Sequence, residues 1–313
     1  MVKFPKLTTP ELIKRLTPPT GKVRLVLDTD TYNEIDDQFA IVHALLADTV
    51  SSEVNLVAMS AAPFHNDSRQ TNNHGHGMEL SYEEIQRILN ILSCGWNGEV
   101  YKGSMSILEG YSKEYVDSEG AQALSALVME NYSNKKPLYV LALGAHTNIA
   151  SALKINPEII NRIIICSLGG LAGQSHGFND FNYKQDMLAA ASVFSSGAAI
   201  IHFPSLDSKL RMLSTTRWEL EANLLNKSPI GNFLYERYIE YIDEFPGRSK
   251  TIWDLALAAW AINNSWFTSN TTFTPTLNEN NIWLEKSGPY PMKSINWLSR
   301  DKIFNHFFNL VNA

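Results

Sequence analysis

Cysteine is nearly missing from this 313-residue chain: there are two, Cys94 and Cys166. Both sit in apolar contexts. Two thiols cannot build a disulfide framework, so packing roles and a reducing compartment are expected. Long apolar runs are missing too, with none near the roughly 20 residues that cross a bilayer. Residues 1–20 hold four prolines and three lysines where a signal peptide would carry an apolar core, which points to the cytoplasm. Positive charge is in deficit, 26 Lys and Arg against 32 Asp and Glu. The net charge of -6 argues against nucleic acid, whose phosphates demand a basic surface, and favours a small molecule as partner. No Pro/Gly/Ser-rich linker, internal repeat or low-complexity stretch divides the chain, so a single domain over residues 1–313 is expected.

What is present is alternation. Apolar β-branched runs at 23–27, 54–59, 138–143, 162–168 and 198–203 are separated by helical patterns at 35–47, 82–92, 148–153 and 189–194. This is the βαβ signal, and near-continuous apolar strands imply a parallel sheet covered on both faces. A long helical stretch is expected over 218–242. The fold class is therefore α/β, a mostly parallel open sheet with helices on both faces and a helical flank. Ligands of such sheets bind at the carboxyl ends of the strands.

The first strand runs into Asp28-Thr29-Asp30-Thr31-Tyr32-Asn33-Glu34-Ile35-Asp36-Asp37. Alternation puts Asp28 and Asp30 on one side of the strand end, and Asp36 and Asp37 open the next helix, where the macrodipole favours negative charge. Clustered carboxylates repel unless a cation or proton compensates, so a hard divalent ion, Ca²⁺ or Mg²⁺, is the economical explanation. Helix capping accounts for Asp36 or Asp37 but not for Asp28 and Asp30 at a buried strand end.

This signature resembles the inosine-uridine-preferring nucleoside hydrolases, although their loop has three residues and this one, 31–35, has five. The resemblance implies that Asp30 and Asp37 bind the metal, Ca²⁺ in preference to Mg²⁺. Asp30 would also take a proton from the attacking water, Asp36 would hold a ribose hydroxyl, and Asp28 would support them. Downstream, Leu141-Ala142-Leu143-Gly144-Ala145-His146-Thr147-Asn148 is similar to the family's strand, glycine turn and Thr-Asn helix start, which makes the Leu143 carbonyl a metal ligand. Leu168-Gly169-Gly170 followed by Asn179-Asp180-Phe181-Asn182 resembles its ribose-binding segment, with Asp180 where the family has Glu. Asp180 and Asn182, as alternate residues, are both expected to face the sugar, and Gln174 stands about where the family has a ribose-binding Asn. Ile252-Trp253-Asp254 makes Asp254 the last metal ligand, though a lone Asp at a helix start is usually a cap.

The implied reaction is hydrolysis of the N-glycosidic bond of a ribonucleoside by a Ca²⁺-bound water, through an oxocarbenium-like transition state that surrounding carboxylates stabilise. Direct attack by water predicts inversion. Trp253 occupies the place of the family's leaving-group His and resembles the purine-specific branch, where Trp stacks on the base; the plain reading is a core aromatic. By the same resemblance a homodimer or homotetramer is expected. His65, Asn66, His74 and His76 fall in a loop expected at 61–77 and are further candidates on the base side. Tyr235, Tyr238 and Tyr241 recur at helical spacing, which signals packing. Two rivals stand. Asp28-Thr29-Asp30-Thr31 also resembles the start of haloacid-dehalogenase-like phosphatases, which leaves Asp37, Asn182 and Asp254 unexplained, and Trp253 in the His position suits a non-catalytic nucleoside sensor.

Overall fold

The computed structural model describes residues 3–108, 114–133, 135–170, 180–206, 208–242, 245, 247–280, 282–284 and 286–313. Five apolar runs become strands close to the expected places: β1 (Val23–Thr29), β2 (Val54–Ala61), and, after the short edge strand β3 (Glu99–Tyr101), β4 (Leu138–Ala142), β5 (Ile163–Leu168) and β6 (Ala199–Phe203). Two ribbons follow, β7 (Ser214–Thr216) with β8 (Ser249–Thr251), and β10 (Thr276–Leu277) with β11 (Trp283–Leu284). Strands β9 (Phe267–Phe273) and β12 (Pro291–Leu298) complete an eight-stranded sheet of order β3-β2-β1-β4-β5-β6-β12-β9. All of its pairings are parallel except β12 with β9.

Helix α1 (Thr9–Arg15) precedes β1, and helices fill the crossovers: α2 (Asp36–Thr49), α3 (His74–Leu92), α4 (Glu119–Asn131), α5 (Thr147–Ile155), α6 (Phe181–Gln185) and α7 (Met187–Ser195). The later helices are α8 (Arg217–Asn223), α9 (Pro229–Ile242), α10 (Leu255–Ile262) and α11 (Arg300–Val311). Strand alternation feeds two cores. Leu25 and Leu27 of β1 join Phe39 of α2, Leu257 of α10 and Phe307 of α11, whereas Val26 joins Ile149 of α5 and Val193 of α7 on the opposite face. Each such fully buried side chain contributes roughly 1.5–3 kcal/mol. Among the described residues no helix is long and apolar enough to cross a membrane.

Three local readings change. The helix expected over 218–242 is two, α8 and α9, because Asn226 adopts a left-handed φ of 60° between them. The loop expected to reach residue 77 ends earlier, since the Asn73 side chain accepts from His76 N–H and caps α3 at His74. That helix start needs its glycine: a Cβ on Gly77 would lie 2.0 Å from the Phe64 carbonyl oxygen. Asp180 and Asn182 are not alternate residues of an extended segment. They are the cap and second residue of α6.

Candidate functional site

Chain order reverses between β1 and β4, which are neighbours in the sheet, and their carboxyl ends open the crevice expected at such a switch point. Asp28 braces this end. Its Oδ1 accepts from Ser60 of β2 (2.5 Å) and from the Asn148 amide of α5 (2.8 Å), and burial pushes its carboxyl up to about 6. Asp30 follows the strand directly. Its carbonyl accepts from Asn33 N–H (2.7 Å), which turns the loop, and Gln38 pins the loop by donating to the Thr31 carbonyl (2.7 Å).

Asp36 and Asp37 begin α2, yet no side chain caps that helix. Thr29 Oγ1 donates to Asp37 Oδ1. Asp36 is held at both oxygens: Oδ2 accepts from Trp253 N–H (3.0 Å), and Oδ1 lies 3.2 Å from Lys250 Nζ. Asp254 occupies the cap position of α10 but makes no capping bond, so the ordinary reading of an Asp at a helix start does not describe it. The Leu143 carbonyl, one residue past β4, accepts from the Asn182 amide (2.5 Å). Gly144 lets the two strand ends close up, because a Cβ there would lie 3.0 Å from the carboxylate carbon of Asp30 and 2.9 Å from Ala62 Cβ.

Asp30, Asp36, Asp37, Leu143 and Asp254 line one cavity of about 310 Å³, together with Asn33, Glu34, Leu168, Asp180, Phe181, Asn182, Ser205, Leu206 and Trp253. That volume suits a small ligand. Asp36, Asp37 and Asp254 each offer an oxygen within 4.8 Å of the others, and Asp30 adjoins them in the cavity. The geometric trio thus contains Asp36, where the sequence reading has Asp30.

Electrostatics separates the four. Asp30 Oδ2 and Asp254 Oδ1 are buried without a hydrogen-bond partner. Burial, then the charges of Asp37 and Asp36, push the Asp30 carboxyl well up, and the same causes raise Asp254. Asp37 is pushed to about 8 by burial and by Asp36. A carboxylate set that repels itself and keeps bare oxygens fits a hard divalent cation, which supplies the missing charge and takes oxygen ligands.

On the sugar side Asp180 lines the cavity, but its oxygens already accept from Tyr183 N–H (3.1 Å) and Ser205 Oγ (3.0 Å). Burial lifts its carboxyl to about 6. Gln174 lies outside the described residues. The base-side candidates stand behind the wall: His65 Nδ1 pairs with Thr71 Oγ1 (2.8 Å), and the Asn66 amide donates to Asn33 Oδ1 (2.7 Å). His74 lies beside His65 with the rings tilted and their centroids 5.8 Å apart, and the His76 ring nitrogen accepts from Asn72 N–H (3.1 Å). Tyr235 and Tyr238 are buried packing residues, Tyr238 donating to the Thr215 and Arg248 carbonyls. Sequence reasoning missed Lys250, a lone lysine in a three-residue strand that carries no pattern, and passed over Glu34 inside the acidic motif it quoted.

Fold and crevice define an α/β protein with a carboxylate-lined ligand site. The sequence profile of the inosine-uridine preferring nucleoside hydrolases matches residues 25–282, and the chain belongs to that family of hydrolases. A non-specific ribonucleoside hydrolase, RihC of Salmonella schwarzengrund, is 28% identical over 266 residues, 81% of this chain and 83% of the relative. Among solved structures, the plant nucleoside hydrolase PpNRh1 superposes with a TM-score of 0.67 at 20% identity, over 94% of this chain and 100% of that one. A purine-preferring ribonucleoside hydrolase from Gardnerella vaginalis gives 0.64 at 20% identity, over 92% and 98%. At those identities the structural likeness establishes the fold.

Proposed function

We propose that the chain, as one domain, hydrolyses the N-glycosidic bond of ribonucleosides, with purines preferred, at the 310 Å³ cavity. The observation that carries this is the convergence of Asp30, Asp37, Leu143 and Asp254 from three separate stretches of sequence, with two bare buried carboxylate oxygens among them. Asp30, Asp37, Asp254 and the Leu143 carbonyl would hold a divalent cation, Ca²⁺ by the oxygen-only donor set. When bound, such an ion would supply Lewis acidity, making a water more acidic and favouring sugar hydroxyls at this end of the cavity.

The residues do the rest. Asp30, whose burial already raises its proton affinity, is the base that takes the proton of the attacking water. Asp36 accepts from a ribose hydroxyl, and Asp180 and Asn182 orient the sugar. The negative potential of the acidic wall favours an oxocarbenium-like transition state over the neutral ground state, which is where acceleration arises. Asp28 keeps β1, β2 and α5 in register behind it. Trp253, half-buried in the cavity wall, offers an indole face to a purine. Two free cysteines suit the cytoplasm, and assembly into a homodimer or homotetramer follows the family resemblance.

The test is release of reducing sugar from purine and pyrimidine ribonucleosides, with and without a chelator. Turnover of purines that chelation abolishes and Ca²⁺ restores is the expected result. Because Trp253 stands where the family has a leaving-group His, a nucleoside sensor is the alternative outcome: binding with no free base formed at high protein concentration would establish it.

A further inference from the structure

Lys250 lies on β8 with its side chain only 4% exposed, and its ammonium reaches two carboxylates of the cavity. Nζ is 2.5 Å from Glu34 Oε2 and 3.2 Å from Asp36 Oδ1. We propose that Lys250 is the positioning residue for the sugar end of the site: with Glu34 it fixes Asp36 as a hydrogen-bond acceptor for a ribose hydroxyl and keeps it from serving as a metal ligand. This rests on the ribonucleoside reading of the cavity.

The geometry carries the argument in three steps. First, six carboxylates line the cavity, Asp30, Glu34, Asp36, Asp37, Asp180 and Asp254, and among the described residues Lys250 is the only cation ion-paired with any of them. It is paired selectively. Asp36 and Glu34 receive it, whereas Asp30 and Asp254 keep bare oxygens. Second, a metal site gains nothing from an ammonium 3.2 Å from one of its ligands, because like charges repel. Proximity alone groups Asp36 with Asp37 and Asp254, and the ion pair takes Asp36 out of that set.

Third, a carboxylate has about four lone-pair positions. Lys250 and the Trp253 amide occupy one on each oxygen of Asp36, and the Asp254 carboxyl comes within hydrogen-bond reach of a third, which leaves one position for a hydroxyl and fixes its direction. Glu34 belongs to the five-residue loop at 31–35. The loop therefore brings its own counter-charge to Lys250, and Arg69 holds its main chain by donating to the Asn33 carbonyl (2.8 Å). The lysine and the loop form one device.

The experiment compares Lys250→Met, Lys250→Arg and Glu34→Gln with the wild type, using inosine as substrate and calorimetry for Ca²⁺. Lys250→Met should raise KM at least tenfold while kcat falls less than threefold, and its Ca²⁺ dissociation constant should stay level or tighten. Lys250→Arg should return KM to within threefold of wild type, and Glu34→Gln should raise KM about threefold. The Lys250→Met penalty should also vanish for one of 2′-deoxyinosine and 3′-deoxyinosine measured as inhibitors, the one lacking the hydroxyl that Asp36 holds. An unchanged KM, or KM and Ca²⁺ affinity worsening together, overturns the proposal. Should Lys250→Met not fold, the arginine and glutamine variants decide it by the same criteria. Should the wild type release no hypoxanthine, the function proposed above fails, and calorimetric binding of inosine with Ca²⁺ present decides the role of Lys250. Equal affinity in wild type and Lys250→Met, or no binding by the wild type, then overturns it.

Discussion

Glu84 and Asp254 are both buried carboxylates, and the protein treats them in opposite ways. Glu84, 1% exposed on α3, is gripped at both oxygens by the Arg237 guanidinium of α9 (2.8 and 2.9 Å) and by Arg87 at 3.0 Å. Both oxygens there have fixed cationic partners, and the network clamps two helices together. Asp254 is 4% exposed, leaves one oxygen unpartnered and faces other carboxylates across the cavity. A buried charge that is paired holds structure, whereas one left unpaired amid like charges costs stability and is kept for a ligand.

Substitution should separate the two most sharply through activity. Asp254→Asn should reduce kcat/KM at least roughly 10³-fold, because a metal ligand contributes several kcal/mol of transition-state stabilisation. In chelated protein the same change should raise the unfolding midpoint, since it removes one of the repelling charges. Glu84→Gln is the counterpart. It leaves the Arg237 fork with a neutral partner and should cost about 3 kcal/mol of stability by denaturant unfolding, with kcat within a few-fold of wild type. If Asp254→Asn destabilises the chelated protein as Glu84→Gln does, the contrast between the two regions is gone.

A smaller effect sits on the cavity wall. Trp253 should contribute roughly 1–3 kcal/mol to a stacked purine, so Trp253→Ala should lower kcat/KM for purine ribonucleosides about tenfold or more and for pyrimidines less. Arg211 lies 5.9 Å from the Trp253 ring centroid, which helps fix the indole. An equal loss for both classes of base would make Trp253 a packing residue.

The same contrast explains what the sequence made visible. Asp28, Asp30, Asp36 and Asp37 stood out because four clustered aspartates after an apolar strand exceed what helix capping accounts for, and the five runs that became β1, β2, β4, β5 and β6 were legible because both faces of a parallel sheet are buried. Strands β9 and β12 were not. They lie toward the antiparallel edge, and Phe267–Phe273 alternates into solvent with Thr, Ser and Asn, a pattern indistinguishable from a loop. Asp180 and Asn182 were found for a reason the structure replaces, since a helix cap rather than strand alternation brings them to the cavity. Lys250 was invisible because its meaning lies in Glu34 and Asp36, more than 200 residues away in the chain.

The least of the expected effects is a pH dependence, and it follows from the signs of the shifts. Asp37, at about 8 against an ordinary 3.8, takes up protons more readily folded than unfolded. Its contribution to stability is therefore greatest below 3.8 and is lost as pH rises toward 8. Asp28 and Asp180, at about 6, act in the same direction over a narrower window. His146, at about 3, and His202, at about 4, run the other way because burial keeps both rings neutral: stability is full above their ordinary 6.5 and falls as pH drops below it. Chelated protein should thus be most stable near mildly acidic pH. Calcium, by supplying the charge that protons otherwise bring to Asp37, should remove the loss on the alkaline side only. The gap in unfolding midpoint between calcium-loaded and chelated protein should widen from pH 6 to pH 8.5 by a few degrees, on the scale of roughly 2–4 °C per kcal/mol for a large domain. A gap that is constant or narrows over that range would mean that the acidic wall is not where calcium binds.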